Sequence, residues 1–347
     1  MPARGRKAIT AREDFAMQFR LNPLTRLLAG AVVAALTLAG AITAEAAGKV
    51  RVAMGDVVSE ETLAFLVALK RARDRGVDYE LTSFAKEELA IQAVVTGQAD
   101  LGLGTPYAII QRSKVPLRIL FQHSTLVFFP VASNKYPDWQ SLNGKPFTFH
   151  GRGSGTEAIG DIIAKQQGIE FGERSYVPGS GNRIIAMMNG QIEATIVDLS
   201  NKNKLLEMAG DRFHVLPGLA EPASDDIVFA SQDWIAANRE SANIIVEELL
   251  RLWREMKANP AIVEEERAAR GLLADQPKEV LDEIVDYYTE SAEAGIYPVD
   301  GGSAEAARAD FRFYVLAGQM EGDPETFAVE DYWDLGPLDA ASAKLGN

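Results

Sequence analysis

The chain contains no cysteine, and this absence excludes several kinds of chemistry. The protein can form no disulfide bond and has no thiolate to act as a nucleophile or as a metal ligand. No cysteine follows the apolar N-terminal segment to carry a lipid. In a bacterium with two membranes, an exported protein without disulfides fits the periplasm.

Histidine is almost as scarce. The three histidines, His123, His150 and His214, lie far apart in the sequence, without the His-x3-His or His-Glu-x-x-His spacing of a zinc site. The sequence also lacks the Gly-x-Ser-x-Gly motif of a hydrolase nucleophile. We therefore predict no enzyme activity, no metal site and no cofactor, and we expect only His150, next to a glycine-rich turn, to approach a binding site.

The chain has fewer basic than acidic residues. The chain has 35 Lys and Arg against 49 Asp and Glu, which gives a formal charge of -14 and a pI near 4.8. Nucleic-acid binding needs a concentrated basic surface that neutralises phosphates. The composition therefore argues against a nucleic-acid partner, and the acidic exterior mainly favours solubility.

Long apolar runs are limited to one segment near the N-terminus. Arg20 and Arg26 precede the run "LLAGAVVAALTLAGAITA", which ends at the small-x-small sequence Ala44-Glu45-Ala46. This is the layout of a cleavable signal peptide, so we predict residues 1–46 to be a signal peptide and the periplasm to be the destination. A membrane anchor is the alternative, but the run is rich in Ala and Gly and ends in a plausible cleavage site.

What the sequence does contain is a repeated step. "VVTGQADLGLG" begins at Val94, and "MMNGQIEATIV" begins at Met187. Each has a helical run that ends at glycine, followed by glutamine, one residue, an acid and a short apolar strand. Strands and helices alternate around both copies, which predicts a β-α-β-α-β unit with a largely parallel sheet in each of two lobes.

Six segments in a fixed order resemble one known family over nearly all of the chain after residue 46. They are "VRVAMGD", "AVVTGQADLGLG", "DWQSLNGKPFTFHGRGSGTEA", "NRIIAMMNGQIEATIVD", "ASQDWIAANRESANIIVEELLRLWREMKANP" and "YWDLGPLDAASAKLG". Together they resemble periplasmic substrate-binding proteins of ABC transporters, in the group that binds nitrate, sulfonates, taurine and thiamine pyrimidine precursors. The segment "GDVVSEET" departs from that group's small-and-proline pattern.

The resemblance implies an α/β, two-lobed type 2 periplasmic binding protein fold with two crossovers and a ligand cleft between the lobes. The pattern of strands, helices and polar breaks along the chain predicts lobe one at 47–133, lobe two at 134–222 and a return to lobe one at 223–347, and the resemblance implies that the C-terminal helices pack on lobe one. It also implies a monomer that binds a small molecule and delivers it to a membrane permease.

The segment "GRGSGTEAIG" is the most informative candidate for ligand contact. Ser154, Gly155 and Thr156 stand at a predicted helix start, where free N–H groups and the helix dipole favour an anion. The guanidinium group of Arg152 could donate two hydrogen bonds to the same oxyanion. The alternative is a tight turn with a serine N-cap and no ligand.

Other candidates follow from the rule that ligands lie at the carboxyl ends of parallel strands. In lobe one these are Gly55 and Asp56 after the first strand, and Thr105, Pro106 and Tyr107 after the third. In lobe two Asp198 ends a strand, where it could face the cleft or cap the next helix. Asp225 and Asp226 precede the returning strand and could contact an amine or lie in a solvated crossover.

The sign of the ligand charge stays open at this point. Arg152 with the glycine-rich turn favours an acid, whereas Asp56, Glu60, Glu61 and Asp198 would favour an amine if they point inward. More simply, the three lobe-one acids stabilise a helix N-terminus. Aromatic rings near predicted strand ends or crossovers could stack on a flat ligand or belong to the core: Tyr107, Phe128, Phe149 and Trp234.

These observations predict a receptor that captures a small sulfonate, carboxylate or heterocycle and delivers it to an ABC importer. Two other functions remain compatible with the sequence: a solute receptor of a tripartite secondary transporter, and a periplasmic ligand sensor.

Overall fold

Two five-stranded sheets organise the computed structural model, which describes residues 49–84, 86–219 and 223–346. The predicted signal peptide lies outside these residues. Within them, no helix combines the length and the apolar character needed to cross a membrane.

The first sheet forms lobe one and has the strand order β2-β1-β3-β10-β4. Its strands are β1 (Val50–Met54), β2 (Tyr79–Ser83), β3 (Leu101–Gly104), β4 (Leu117–Gln122) and β10 (Ile227–Ser231). β1 pairs in parallel with β2 and β3, whereas β10 runs antiparallel to β3 and β4.

The second sheet forms lobe two and has the order β7-β6-β8-β5-β9. Its strands are β5 (Phe128–Ser133), β6 (Phe147–Phe149), β7 (Arg174–Tyr176), β8 (Ala194–Asp198) and β9 (Phe213–Val215). β5 is the antiparallel member, between β8 and β9. The expected range 47–133 had placed the residues of β5 in lobe one, but they pair with lobe two, so the chain crosses after β4.

The topology is the same in both lobes: the antiparallel strand of each sheet is the strand that enters from the other lobe. The expected two-lobed α/β fold is thereby confirmed.

Helices cover the sheets. Their bounds are α1 (Glu60–Asp74), α2 (Glu87–Val95), α3 (Tyr107–Ser113), α4 (Gly155–Gln167), α5 (Ser180–Met188), α6 (Leu199–Ala209), α7 (Gln232–Ala237), α8 (Arg239–Ala258), α9 (Ile262–Arg270), α10 (Lys278–Asp282), α11 (Ile284–Glu293), α12 (Ala304–Leu316) and α13 (Gly336–Leu345). α8 packs against α1 and α13, and its Trp253 is fully buried in the core that these helices share with the first sheet.

The two Gly-Gln-x-acid steps occupy equivalent places. Gly97 follows α2 and Gly190 follows α5, with φ of 72° and 70°, a backbone conformation that favours glycine and ends the helix. The acid of each step then anchors the next strand: Asp100 pairs with Arg51 at 2.6 Å, and Glu193 pairs with Lys135 at 3.0 Å. The repeat therefore marks the helix-to-strand step before β3 in lobe one and before β8 in lobe two.

Two crossover segments connect the lobes and pair with each other. The Leu126 amide donates to the Ala223 carbonyl at 2.9 Å, and the Asp225 amide donates to the Ser124 carbonyl at 2.8 Å. His123 likewise donates its amide to the Asp226 carbonyl at 3.0 Å. We call residues 123–127 and 223–226 the hinge, because every described connection between the sheets passes beside this pairing.

Candidate ligand-binding site between the two lobes

The lobes touch across a cleft. The Ser180 amide at the start of α5 donates to Glu61 Oε1 of lobe one at 3.0 Å. On another side of the cleft, Thr105 Oγ1 lies 3.3 Å from the Gly153 carbonyl oxygen. At its rim, Asn203 Nδ2 of α6 donates to Glu290 Oε2 of α11 at 3.1 Å. The structure is therefore a closed arrangement in which both lobes reach the same enclosed space.

Two adjoining cavities of about 30 Å³ each lie in that space. The inner-turn cavity is lined by Asp56, Glu61, Glu87, Thr105, Phe128, His150, Ser154, Gly155, Thr156, Asp225 and Asp226. The hinge cavity is lined by Glu61, His123, Ser124, Thr125, Val127, Phe128, Asp198, Asp225, Asp226, Tyr287, Ile296 and Tyr297. Because Glu61, Phe128, Asp225 and Asp226 line both, the two cavities form one site.

A larger groove of about 680 Å³ runs along α12 beside the hinge. Its lining includes Leu219 and Ala223, which flank a short range that the structure does not describe. The two small cavities, unlike the groove, are lined by residues that follow the carboxyl ends of β1, β3 and β6, where ligands of α/β sheets bind. We therefore place the candidate site in the cavities.

Carboxylates dominate the lobe-one wall. Asp56 follows β1, Glu61 lies in the first turn of α1, and Glu87 begins α2. The Thr105 amide donates to Glu87 Oε1 at 2.5 Å, and its hydroxyl donates to the same oxygen. Gly55 is required beside them, because a Cβ there would lie 2.9 Å from the Leu103 carbonyl oxygen and 3.0 Å from the Glu87 side chain.

The hinge adds two acids to this wall. Asp225 and Asp226 precede β10, and both line the inner-turn and hinge cavities. Burial, followed by the nearby Glu87 and Asp56 carboxylates, raises the pKa of Asp225 to about 8. Burial and then Asp225 raise the pKa of Asp226 well above its usual range. Like charges crowded in a water-poor space favour the protonated form.

Glu61 shows the same effect at the centre of the site. Burial is the main cause that raises its pKa well above the usual range, and Asp198 and Asp56 raise it further. Arg183 acts in the opposite direction. Burial also raises the pKa of Glu87, and this rise is partly offset by His150 and by the hydrogen bonds from Thr105. The site therefore brings together more carboxyl groups than its own cations can neutralise.

Arg183 is the buried cation of the site, and it is fully enclosed. Its Nε donates to the Ile196 carbonyl at 3.0 Å, its Nη1 to the Val177 carbonyl at 2.9 Å, and its Nη2 to Ser180 Oγ at 2.8 Å. These acceptors are neutral. The positive charge of Arg183 thus makes the electrostatic potential in the cleft less negative, although Arg183 forms no direct ion pair with a cleft carboxylate.

The lobe-two wall is largely occupied by its own hydrogen bonds. Ser154 caps α4, and the Gly153 amide donates to Glu157 Oε2 at 2.6 Å. Thr156 Oγ1 accepts from the His150 amide at 2.9 Å. Ser154, Gly155 and Thr156 all line the inner-turn cavity, as the sequence placed them, but a carboxylate of this chain already lies at the start of α4.

Asp198 has both roles that the sequence left open. Its Oδ1 accepts from the Asn201 amide at 2.9 Å and its Oδ2 accepts from the Asn201 side chain at 2.7 Å, so it is the N-cap of α6. It also lines the hinge cavity and is only 5% exposed. The cap fixes the carboxylate at the edge of the cleft.

Some candidate residues lie away from the cavities. Arg152 has a largely exposed side chain, 4.0 Å from Glu88, with its guanidinium over the Tyr176 ring. Pro106 precedes α3 outside the two cavity linings. Tyr107 is fully buried, and its hydroxyl donates to Asp310 Oδ2 at 2.5 Å and accepts from Trp333 Nε1 at 2.9 Å. Tyr107 thus belongs to the core.

Of the four aromatic candidates, Phe128 alone lines the cavities. Phe149 and Trp234 are, like Tyr107, core residues. Sequence reasoning did not propose Glu87, His123, Arg183, Tyr287 or Tyr297 as site residues. A signal existed for Glu87, because the pair Glu87-Glu88 begins a helix after a strand just as Glu60-Glu61 does. Tyr287 and Tyr297 lie far along the chain from most of the other cavity residues, and no local motif marks them as site residues.

The sequence matches one known protein family over most of its length. Residues 61–262, more than half of the chain, match the sequence model of the family described as NMT1/THI5 like. The chain belongs to the NMT1/THI5-like family. This membership confirms the resemblance to the nitrate, sulfonate and thiamine-precursor binding group. A search of curated proteins found none whose sequence matches this chain.

Solved structures share the fold at low identity. A protein of Bordetella bronchiseptica RB50 superposes with a TM-score of 0.68 at 18% identity, over 86% of this chain and 98% of its own. The periplasmic nitrate-binding protein NrtA of Synechocystis PCC 6803 gives 0.64 at 13% identity, over 86% and 89%. The alkanesulfonate-binding protein SsuA of Xanthomonas axonopodis pv. citri, bound to MOPS, gives 0.58 at 14%, over 82% and 98%.

Proposed function

We propose that this protein is a periplasmic solute receptor that encloses a small molecule between its two lobes and delivers it to the permease of an ABC importer. The observation that carries the proposal is the closed cleft, whose cavities are lined by residues of both lobes and of the hinge. Its membership of the NMT1/THI5-like family and the nitrate- and sulfonate-binding proteins of the same fold support it.

Binding would act through closure. A solute that contacts both walls stabilises the closed form by contacts that the open form lacks, so it shifts the population toward closure. The paired hinge segments allow this motion, because they are short and carry the described connections between the sheets. The residues that line the cavities would bind the solute and would catalyse no reaction.

Several of the candidate residues would act directly. Asp56, Thr105, Ser154, Gly155, Thr156, Asp198 and Asp225 line the cavities and would contact the solute. Gly55 would act by letting β1 approach Glu87 closely. The predicted signal peptide would take the chain to the periplasm.

Closure can be measured by labelling both lobes. The chain has no cysteine, so Leu89→Cys on α2 and Ile185→Cys on α5 can be labelled specifically. Both side chains are exposed, at 50% and 59%. We expect at least one of nitrate, butane-1-sulfonate, butyrate, 4-aminopyridine or 1,4-diaminobutane to narrow the distribution of distances between the labels and to raise the melting temperature.

The control pair keeps both labels on lobe one, with Leu89→Cys and Asp275→Cys, and its distances should not change. If no solute of the panel alters either the inter-lobe distance or the melting temperature, the receptor proposal is contradicted.

A further inference from the structure

We infer that the solute carries a positive charge, as an ammonium or amidinium group, and that this group lies between the hinge carboxylates and the aromatic rings of the hinge cavity. The inference rests on the proposed receptor function and narrows its substrate class.

The first observation is the imbalance of charge. Four carboxylates, Glu61, Asp198, Asp225 and Asp226, line the hinge cavity. Asp198 is held by Asn201, and Glu61 receives the Ser180 amide, both of which are neutral donors. Among the described residues, no side chain or backbone group donates a hydrogen bond to a carboxylate oxygen of Asp225 or Asp226. Asp225 and Asp226 are half-buried. A carboxylate partly withdrawn from water without a donor is destabilised, and a cation supplied by the ligand would offset this cost.

The second observation is His123, which lines the same cavity and is only 3% exposed. Its Nε2 is buried and has no hydrogen-bond partner among the described residues. Burial lowers the pKa of His123 to about 3, so the ring is neutral and does not compete as a cation. In the tautomer with its proton on Nδ1, which lies 3.4 Å from Ser124 Oγ, Nε2 is a free acceptor for a ligand N–H group.

The third observation is the aromatic wall. Phe128, Tyr287 and Tyr297 line the hinge cavity beside the carboxylates. The faces of aromatic rings attract organic cations, most strongly where water is excluded. Carboxylates and aromatic faces together suit an alkylammonium or a protonated amidine better than they suit a sulfonate or a carboxylate.

An inorganic cation fits less well. In the described part of the chain, no group of three or more His, Asp or Glu side chains is placed to hold a metal ion. The cleft acids are therefore spread around the space rather than converging on one point. Such a spread suits an organic group with several N–H donors that point in different directions.

The lobe-two turn adds a further argument against an anion. Glu157 Oε2 accepts from the Gly153 amide at 2.6 Å, and its Oε1 accepts from the Tyr176 hydroxyl at 2.6 Å. This carboxylate therefore takes up the Gly153 amide, one of the N–H groups before α4 that an anionic ligand could otherwise use. Arg152, the cation predicted to assist an anion, lies at the rim with Glu88.

The test is isothermal titration of the purified protein with two matched sets of solutes. The cationic probes are 1,4-diaminobutane, methylguanidine and 4-aminopyridine, and the anionic probes are butane-1-sulfonate, butyrate and nitrate. We expect saturable binding of at least one cationic probe and none of the anionic ones. Asp225→Asn should weaken that binding about 10- to 100-fold, the usual effect of losing a charge-assisted hydrogen bond.

The control is Asp275→Asn, an exposed acid in a turn outside the cleft, which should bind as the unmodified protein does. Asp225→Asn keeps the shape of the side chain, and its circular dichroism and melting curve show whether it folds. If Asp225→Asn does not fold, His123→Gln serves as the second variant and should also weaken binding.

The outcomes separate the two proposals. Binding of anionic probes alone overturns the inference but leaves the receptor function standing, and so does binding of a cation that neither variant weakens. If no probe of either sign binds, the receptor function fails together with the inference. A cation that binds the unmodified protein and is lost in Asp225→Asn supports both.

Discussion

The two walls of the cleft are built on the same topology but carry different charge. In lobe one the strand ends and helix starts present Asp56, Glu61 and Glu87, and the hinge adds Asp225 and Asp226. In lobe two the equivalent positions present mostly hydroxyls and backbone groups, with Asp198 held by Asn201. The fold thus determines where a ligand can lie, whereas the residues at the strand ends determine its charge.

The two walls also differ in whether their charged side chains have hydrogen-bond partners within the protein. On the lobe-two side, Arg183 and Glu157 use neighbouring groups of their own lobe. On the lobe-one side, the carboxylates of the hinge face the cavity without donors from the described residues. The charged groups of lobe two thus have partners in their own lobe, whereas the carboxylates of Asp225 and Asp226 do not receive a donor from the described residues.

The largest expected effect comes from removing the buried cation of lobe two. Arg183→Met leaves the Val177 and Ile196 carbonyls and Ser180 without their donor, and it removes the positive charge that offsets Glu61. We expect the free energy of unfolding to fall by about 3–5 kcal/mol, measured by urea denaturation. Arg308→Met on the exposed side of α12 is the control and should change it by less than about 0.5 kcal/mol. An equal effect of the two variants would contradict the role of Arg183.

The next effect concerns the lobe-two turn. Glu157→Gln removes a carboxylate that accepts from the Gly153 amide and the Tyr176 hydroxyl. We expect the free energy of unfolding to fall by about 1–3 kcal/mol, because two half-buried donors lose a charged acceptor. Glu173→Gln, on the exposed segment before β7, should be nearly neutral in the same urea experiment. A neutral Glu157→Gln would show that the turn does not depend on this carboxylate.

A third prediction concerns pH and distinguishes the acidic wall from the rest of the molecule. The folded-state pKa of Asp225, about 8, lies above its unfolded value, so the native state binds more protons than the unfolded state. Stability without ligand should therefore fall as pH rises from 6.5 to 8, by at most about 1.4 kcal/mol per pH unit for each such group.

Between pH 6.5 and 8, a change in stability can be assigned to the cleft acids and not to His123. The pKa of His123 is lowered, so its titration affects stability only below about pH 6.5. The charged and titratable groups that face Asp225 and its neighbours are Asp56, Glu60, Glu61, Glu87, His123, His150, Arg183, Asp198, Lys204, Asp226, Tyr287 and Tyr297. Urea denaturation at three pH values should show a smaller decrease for Asp225→Asn. A stability that rises across this window would contradict the charge imbalance.

The smallest effect is expected at the rim. Arg152 is exposed and 4.0 Å from Glu88, so Arg152→Ala should change the free energy of unfolding by less than about 0.5 kcal/mol. It should also leave the binding of cationic probes unchanged in calorimetry. Loss of anion binding in this variant would instead support the anion site that the glycine-rich turn suggested.

The sequence predicted the fold well because its signals are local. The two glycines of the repeated step and the strand-helix alternation depend on neighbouring residues, and the structure places them accordingly. The boundary between lobe one and lobe two was harder to predict from the sequence. β5 reads as an apolar strand in either lobe, and only its pairing with β8 and β9 assigns it to lobe two.

The site was only partly predictable for the same reason. Strand-end positions led to Asp56, Thr105, Asp198 and Asp225, all of which line the cavities. The same rule led to Tyr107, which instead turns into the core toward Asp310. Tyr287 and Tyr297 reach the hinge cavity through packing of the C-terminal part of the chain against lobe one, and such distant contacts leave no pattern in neighbouring residues. His123 lies in the hinge itself, and only the pairing of the two hinge segments places it there.

The most direct measurement of the central claim is the number of protons exchanged when 1,4-diaminobutane binds. It is obtained by titration calorimetry at pH 7.5 in two buffers of different ionisation enthalpy. A cation placed against the carboxylates of Glu61, Asp225 and Asp226 lowers their raised pKa values, so we expect binding to release up to about one proton. Proton uptake on binding, or binding without any proton exchange, would contradict a cation held by the acidic wall.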